Sequence, residues 1–482
     1  MVIRRPRRVE SQMFAADIVA MSVGGGGAGL AGLCPEMPVP ARPLSQLHDP
    51  DLGQGAVPVH AVGLLLLWRR RDLMTPPHVA GVVSVLALYL MSILCATNIA
   101  FLPRRTNGLI QLTYSITICY ALFLTVAQGT RRQIGRLFLG FSLVILIGCL
   151  LETHAGLRPV SDAVRNVLYS KGVYENDLRD VLFYHQARPK FFASEPASVT
   201  FCYTLFTFIW MVVSEWRWKM SAYLALMALG LFALPGPTLL LMQPDMLFLA
   251  SRRQGRLDAG RFMVVACVAC VALLFAAAFV VLALSLFPVR LEEITSGNDP
   301  SFFYRVRGPA VAGVGVMEHY PFAGAGLSGE PFIESEVTNL YVRSTGYSAG
   351  WQVVSPATEL LINYFWLHWI YLGIVWGLLI IAALTAWLRV LGVPSPAFCW
   401  VAWAILGQAS GAYVGPTCWA LLFLAGGAAV LYQRSEQREA KYRAASATTP
   451  YGLSLRRRIL RLRLMRQAPH FRENIRSGRA SD

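Results

Sequence analysis

The sequence predicts an all-α, polytopic integral membrane protein of about twelve transmembrane helices, on three observations. Of its 482 residues 55% are apolar and only 15% charged, with a mean hydropathy of +0.49, whereas a soluble domain carries about 25% charged residues. Twelve spanning helices of roughly 20 residues use about 240 positions, and the chain supplies that many in apolar runs. Lys and Arg recur after every second run, as alternating crossings require. The same composition excludes a soluble enzyme, an intrinsically disordered chain, a disulfide scaffold and a fibrous protein.

The apolar runs fall near 13–34, 53–68, 78–102, 108–128, 137–154, 198–213, 221–234, 236–250, 262–287, 356–387, 395–413 and 416–433. Leu234-Pro235-Gly236-Pro237 reads as the turn of a tight hairpin between two short helices. The N-terminus is basic and leads into a weakly apolar, Gly-rich stretch, read as a poor first span rather than a signal peptide.

Arg69 to Arg71, Arg131/Arg132/Arg136, Arg217/Lys219, Arg252/Arg253/Arg256/Arg261 and Arg389 each follow an even-numbered span. Cytoplasmic loops favour such charge, so both termini are expected inside a bacterial inner membrane. Arg104 and Arg105 alone fall on the wrong side. The net charge is +16, and residues 434–482 hold 13 Lys/Arg against 4 Asp/Glu, which supplies +9 of it. Placed directly after the last span, this is a basic cytoplasmic tail rather than a nucleic-acid site, either a solvated topology signal or an anchor on anionic lipid; Leu453 to Met465 alternates Leu/Ile with Arg, which suits an interfacial helix. Residues 1–433 form the membrane domain. Most of the nine cysteines lie inside apolar runs, and Cys267-Val-Ala-Cys270, mid-span with no second pair, is not read as a metal or redox site.

This parity puts two long segments outside the cytoplasm, about 155–197 and 288–355. Loops of that length on a rigid scaffold are where chemistry resides. In the first, Val164, Val167, Leu168, Leu178, Val181 and Leu182 recur at helical spacing, as in a helix at the membrane surface. Then comes Gln186-Ala-Arg188-Pro-Lys190-Phe-Phe-Ala-Ser194-Glu195-Pro196-Ala-Ser198, where Ser194 reads as a helix cap and Pro196 as its first turn. Cations here run against the usual bias and call for a partner. Glu195 and a bound phosphate are the two alternatives, Arg having the better geometry for the latter.

In the second loop Tyr304-Arg305-Val-Arg307-Gly308 precedes a helix-like stretch. Glu318-His319-Tyr320-Pro321-Phe322-Ala-Gly324-Ala-Gly326 follows, its glycines permitting close backbone approach to a ligand or forming a plain turn. No P-loop, Rossmann fingerprint, HExxH or Asp-x-Asp pair occurs, so neither a soluble nucleotide donor nor a metal is expected, and no cofactor. His185, His319 and His368 lie near the outer side as bases by ordinary pKa or as structural residues.

The order of these parts resembles the bacterial O-antigen ligase and polysaccharide polymerase superfamily, with its glycosyltransferase C-like fold. Three pieces carry the resemblance. Arg188-Pro-Lys-Phe-Phe-Ala-Ser194-Glu195-Pro196 is similar to the Arg…Glu-Pro-Ser element of exopolysaccharide polymerases. Arg305 ahead of Tyr320-Pro321-Phe322-Ala-Gly324-Ala-Gly326 is similar to the family's Arg followed by Pro-Leu-x-Gly-x-Gly. Leu361-Ile362-Asn363-Tyr…Leu372-Gly373-Ile-Val-Trp-Gly377 resembles its His-Asn…Gly-Ile-x-Gly element. Ile362 stands where many ligases carry His, which tilts the reading toward polymerase.

The resemblance implies a metal-independent, inverting transfer of glycan from a polyprenyl diphosphate to a lipid-linked acceptor, in exopolysaccharide, capsule or O-antigen assembly. It implies Arg188 and Arg305 on the leaving diphosphate, with Glu195 or His319 as proton acceptor and Lys190, Arg307, Gly324, Gly326 and Asn363 binding substrate. A chain-length regulator and a flippase are the implied protein partners. The alternatives are a ligase acting on a lipid A-core acceptor and a transporter or flippase of glycolipids.

Overall fold

A computed structural model describes residues 67–169, 177–184, 186–236, 239, 292, 296, 302–344, 347, 360–409, 411 and 413–448. The described residues are helical, with no strand among them. They fall into two compact units, one ending at Val430 and one beginning at Leu431.

In the first unit α1 is Pro76–Cys95, α2 Leu102–Gln128 and α3 Arg131–His154. Two short helices follow, α4 Arg158–Leu168 and α5 Asp177–Tyr184. Then come α6 Pro196–Val213, α7 Lys219–Ala233, α8 Gly308–His319 and α9 Glu334–Arg343. α10 is Tyr364–Val390, α11 Pro396–Leu406, and α12, Pro416–Thr448, runs on into the second unit. Starts are encoded locally. Thr130 accepts the Gln133 N–H and bonds its side chain, Ser395 accepts the Phe398 N–H, and Pro sits in the first turn of α1, α6 and α11.

Among the described residues six helices are long and apolar enough to cross a membrane: α1, α2 with its preceding turn, α3, α6, α10 and the first 26 residues of α12. At 1.5 Å per residue such helices match a hydrocarbon core of about 30 Å, and the chain has the make-up of a helical membrane protein. The expected count of twelve is not carried by the described residues. α11 covers only eleven residues of the run at 395–413, α7 has fifteen, and α10 starts at Tyr364 rather than 356. The runs at 13–34 and 262–287, and nearly all of 53–68 and 236–250, lie outside the described residues, as do Cys267, Cys270, His185 and Leu453 to Met465.

The tightest packing joins α3 to α6 and α1 to α10. α6 is buried along nearly its whole length, while α1 keeps most of its surface exposed. Phe138 and Phe141 of α3 meet Phe206 of α6 at centroid distances of 5.7 and 5.5 Å. A buried helix cannot leave hydroxyls unpaired. Thr200, Thr204 and Thr207 therefore donate to the carbonyls one turn back, at 2.9, 2.7 and 2.6 Å.

Candidate functional site

The first loop element is a closed ion-pair frame. Phe191 and Phe192 both have positive φ, 33° and 63°, so successive backbone N–H groups converge as an anion nest. That nest is filled from within. Glu152, near the end of α3 and 4% exposed, accepts the Lys190 N–H at 3.0 Å and the Phe191 N–H at 2.6 Å. The Phe191 ring lies flat on Gly148 one turn earlier, where any Cβ would overlap it. Buried Arg165 of α4 donates from Nε to Ala193 O at 2.8 Å and from Nη1 to Asp162 at 2.5 Å.

Within this frame Arg188 has a protein partner that is not the expected Glu195. Asp180 of α5 accepts its Nε at 2.9 Å. Lys190, expected to bind substrate, is 3% exposed with Nζ 3.1 Å from Asp177, which also pairs with Arg158 at 2.5 Å. Ser194 is not the cap of α6. Glu195 takes the N-cap position without a side-chain cap bond, and the buried Ser194 hydroxyl has no hydrogen-bond partner among the described residues.

Glu195 turns instead toward the second element. Its Oε2 lies 4.0 Å from Nη2 of Arg305, both side chains a little under one-third exposed. Arg305 rides on a π turn, Phe303–Arg307, which runs directly into α8. Such turns recur at functional sites. Arg307 ends the turn and is exposed. Behind it, burial pushes the Tyr304 hydroxyl up to about 12, so it stays protonated at neutral pH.

Asn363, expected to bind substrate, lies inside the protein. It is wholly buried and spends each of its hydrogen-bonding groups on the protein. Nδ2 donates to Arg305 O at 2.6 Å and to Gln408 Oε1 at 2.7 Å, and Oδ1 accepts the Trp366 N–H at 3.2 Å. The glycines serve the fold likewise. α10 is broken at Gly373 (φ 63°, ψ −169°), and the 320–329 loop docks into the break. Ala325 N–H donates to Ile370 O at 2.8 Å, Gly326 N–H to Tyr371 O at 3.0 Å, and Ile374 N–H to Pro321 O at 2.8 Å. Gly324 packs on Gly373, and Gly326 on the guanidinium of Arg105. Their close approach is to backbone and to Arg105, where a ligand was the expectation.

His319 sits at the far end of α8. Fourteen residues at about 1.5 Å each put it roughly 20 Å from Arg305, too far to act on the same reacting atom. Its Nδ1 is 2.9 Å from Gly315 O and 3.0 Å from Glu336. The Gly315 carbonyl first, and Glu336 second, hold its pKa above the ordinary 6.5. His368 is buried, between the Tyr413 hydroxyl at 2.8 Å and Gly377 O at 3.2 Å.

Of the expected residues, the fold thus brings together Glu195, Arg305 and Asn363. Reading the sequence missed Asp180, Glu152, Gln408 and a second polar cluster, in which Tyr371 bonds Glu330 and Arg104 lies 3.9 Å from the same carboxylate. One signal was available: Arg104 and Arg105 were the charges that broke the topology. Among the described residues no three His, Cys, Asp or Glu side chains are grouped as metal ligands. No protein-family model, curated protein or solved structure matches this chain.

Proposed function

We propose that the chain is a polysaccharide polymerase. It moves a glycan from a polyprenyl-diphosphate carrier to the hydroxyl of a lipid-linked acceptor, at the outer face of a bacterial inner membrane. About twelve crossings, a glycosyltransferase C-like arrangement and cytoplasmic termini belong to this reading. One observation supports it most: Arg305 and Glu195, 110 positions apart, meet at 4.0 Å on two loop elements and remain partly open to solvent.

The pair suits the chemistry. The acceptor hydroxyl attacks the anomeric carbon as the bond from that carbon to the diphosphate oxygen breaks. The electron pair leaves with the diphosphate, whose growing charge a fixed guanidinium stabilises. The hydroxyl proton passes to a carboxylate within reach, Glu195. Attack opposite the leaving group inverts the centre. Arg188, committed to buried Asp180, moves from leaving-group ligand to frame, and exposed Arg307 stands beside Arg305 as its second cation.

The test is purified protein in vesicles with a lipid-linked repeat unit. Arg305→Ala is expected to abolish glycan lengthening at unchanged protein level, since its loss strands no buried charge. Full-length product from that variant rejects the reading. Transfer to lipid A-core alone identifies a ligase.

A transporter is the second reading, favoured by the break in α10 beside buried His368, since interrupted helices and buried ionisable groups mark transport paths. Movement of the lipid-linked unit across the vesicle without lengthening selects it.

A further inference from the structure

The π turn that carries Arg305 is held by Asn363, which the sequence marked as a substrate binder, and Asn363 in turn by Gln408, which nothing in the sequence singled out. Pro309, just past the turn, has no N–H with which to give the Arg305 carbonyl an α-helical bond. Asn363 Nδ2 donates to that carbonyl at 2.6 Å. Its amide has two hydrogens and one oxygen, and all three are used. The second hydrogen goes to Gln408 Oε1 at 2.7 Å, and the oxygen caps α10.

Gln408 is itself oriented. Its Nε2 donates to Ala404 O at 3.2 Å, so its oxygen must face Asn363. The turn that bears it sits flush on the start of α10. A Cβ on Gly407 would stand 2.7 Å from the Tyr364 ring, and one on Gly411 2.7 Å from the Cα of Ile362. The order of support therefore runs from α11 through Gln408 to Asn363, to the Arg305 backbone, and from there to the guanidinium beside Glu195.

We infer that Gln408 is a positioning residue for Arg305. By accepting one Asn363 hydrogen it directs the other at the Arg305 carbonyl. That sets the register of the π turn and the place of the guanidinium. The inference rests on the polymerase reading for what the guanidinium binds, but not for the geometry.

Two variants isolate the acceptor. Gln408→Met keeps the length of the side chain and removes the oxygen. Gln408→Glu keeps an oxygen toward Asn363, loses the bond to Ala404 and puts a carboxylate oxygen against that carbonyl. Hydrogen exchange read by mass spectrometry over 303–308 reports the geometry without reference to activity. Exchange there is expected to rise about tenfold in Gln408→Met and to stay within about threefold of the parent in Gln408→Glu, about tenfold being one lost bond of ordinary strength. In glycan lengthening, Gln408→Met is expected to lower kcat about tenfold with KM for the lipid-linked donor changed less, and Gln408→Glu to rescue it. A merely structural role would lower the amount of folded protein and leave turnover per folded molecule alone.

Unchanged exchange in Gln408→Met, or equal loss in both variants, overturns the positioning role. Increased exchange in Gln408→Met alone, with polyprenyl diphosphate binding identical in parent and Arg305→Ala, upholds the positioning role and rejects the polymerase reading.

Discussion

Arg188 and Asp180 form an ion pair whose acidic half is sealed inside the protein: Asp180 is 1% exposed and holds Nη2 of Arg188 at 2.8 Å. Removing one partner of such a pair strands a buried charge, at a cost of about 3–5 kcal/mol, while removing both costs far less. Arg188→Ala is expected to lower the thermal midpoint and membrane level sharply, and Arg188→Ala with Asp180→Ala to recover most of the loss. A double-mutant cycle in detergent measures the coupling. Loss of activity in Arg188→Ala alone therefore says nothing about substrate. Equal stability of the single and double variants would remove the pair's structural role.

Gly148 and Phe191 give a second expectation. A methyl at 148 overlaps the ring that covers it. The ring belongs to the left-handed turn that Glu152 holds, so it cannot withdraw without losing those two bonds. Gly148→Ala is expected to destabilise by about 1–3 kcal/mol, as overpacking does. Phe191→Leu in the same chain is expected to restore part of it, read by thermal unfolding. A neutral Gly148→Ala counts against the packing.

How much of this was legible beforehand depends on what kind of signal each feature leaves. Helices α1, α2, α3, α6 and α10 announce themselves by apolar runs near 20 residues, because lipid demands such runs. The break in α10 leaves no such trace. Gly373 sits in an unbroken apolar stretch, and only the docking of 320–329 shows why its backbone turns left-handed. Asp177 and Asp180 went unremarked, because charge along a sequence does not reveal which neighbour will meet it. Arg105 looked like a violation of the charge rule. It is the buried donor to Thr97 O, Asn98 O and Ala325 O, and its location answers to those carbonyls. The meeting of Arg305 with Glu195 leaves no mark in the sequence; the resemblance gave the two residues separate roles, one on the diphosphate and one as proton acceptor.

His319 supplies a pH dependence with a definite sign. Its folded pKa is raised above 6.5, so the stabilisation from its contacts is fully present below pH 6.5 and fades as pH climbs through the raised value. Burial raises the Glu336 carboxyl as well, which favours the same acidic side. In carbon-13 histidine spectra, with His319→Gln for assignment, the His319 midpoint is expected above 6.5. Glu336→Gln is expected to lower it only part of the way, because the Gly315 carbonyl remains the larger cause. Added salt weakens the Glu336 part alone, since the imidazole is open to solvent. A midpoint unmoved by Glu336→Gln would detach the pair.

Gly373 and Gly140 are expected to respond to alanine in opposite directions. At Gly373, φ is 63° and a Cβ would stand 2.7 Å from Pro321 O and 2.8 Å from Gly324 N. Both obstacles are backbone and neither rotates away. The left-handed strain alone costs about 1–3 kcal/mol, and relieving it requires the 320–329 loop to leave the break in α10, which strands the carbonyls of Ile370 and Tyr371. Gly140 lies inside α3 with nothing within 4 Å of a Cβ, so alanine there gains about 0.5–1 kcal/mol of helix propensity. Thermal unfolding in detergent is expected to fall for Gly373→Ala and to hold or rise for Gly140→Ala, with hydrogen exchange at Ala325 and Gly326 increasing only in the former. Protected amides at 325 and 326 in Gly373→Ala would mean that the loop is held by something other than the broken helix.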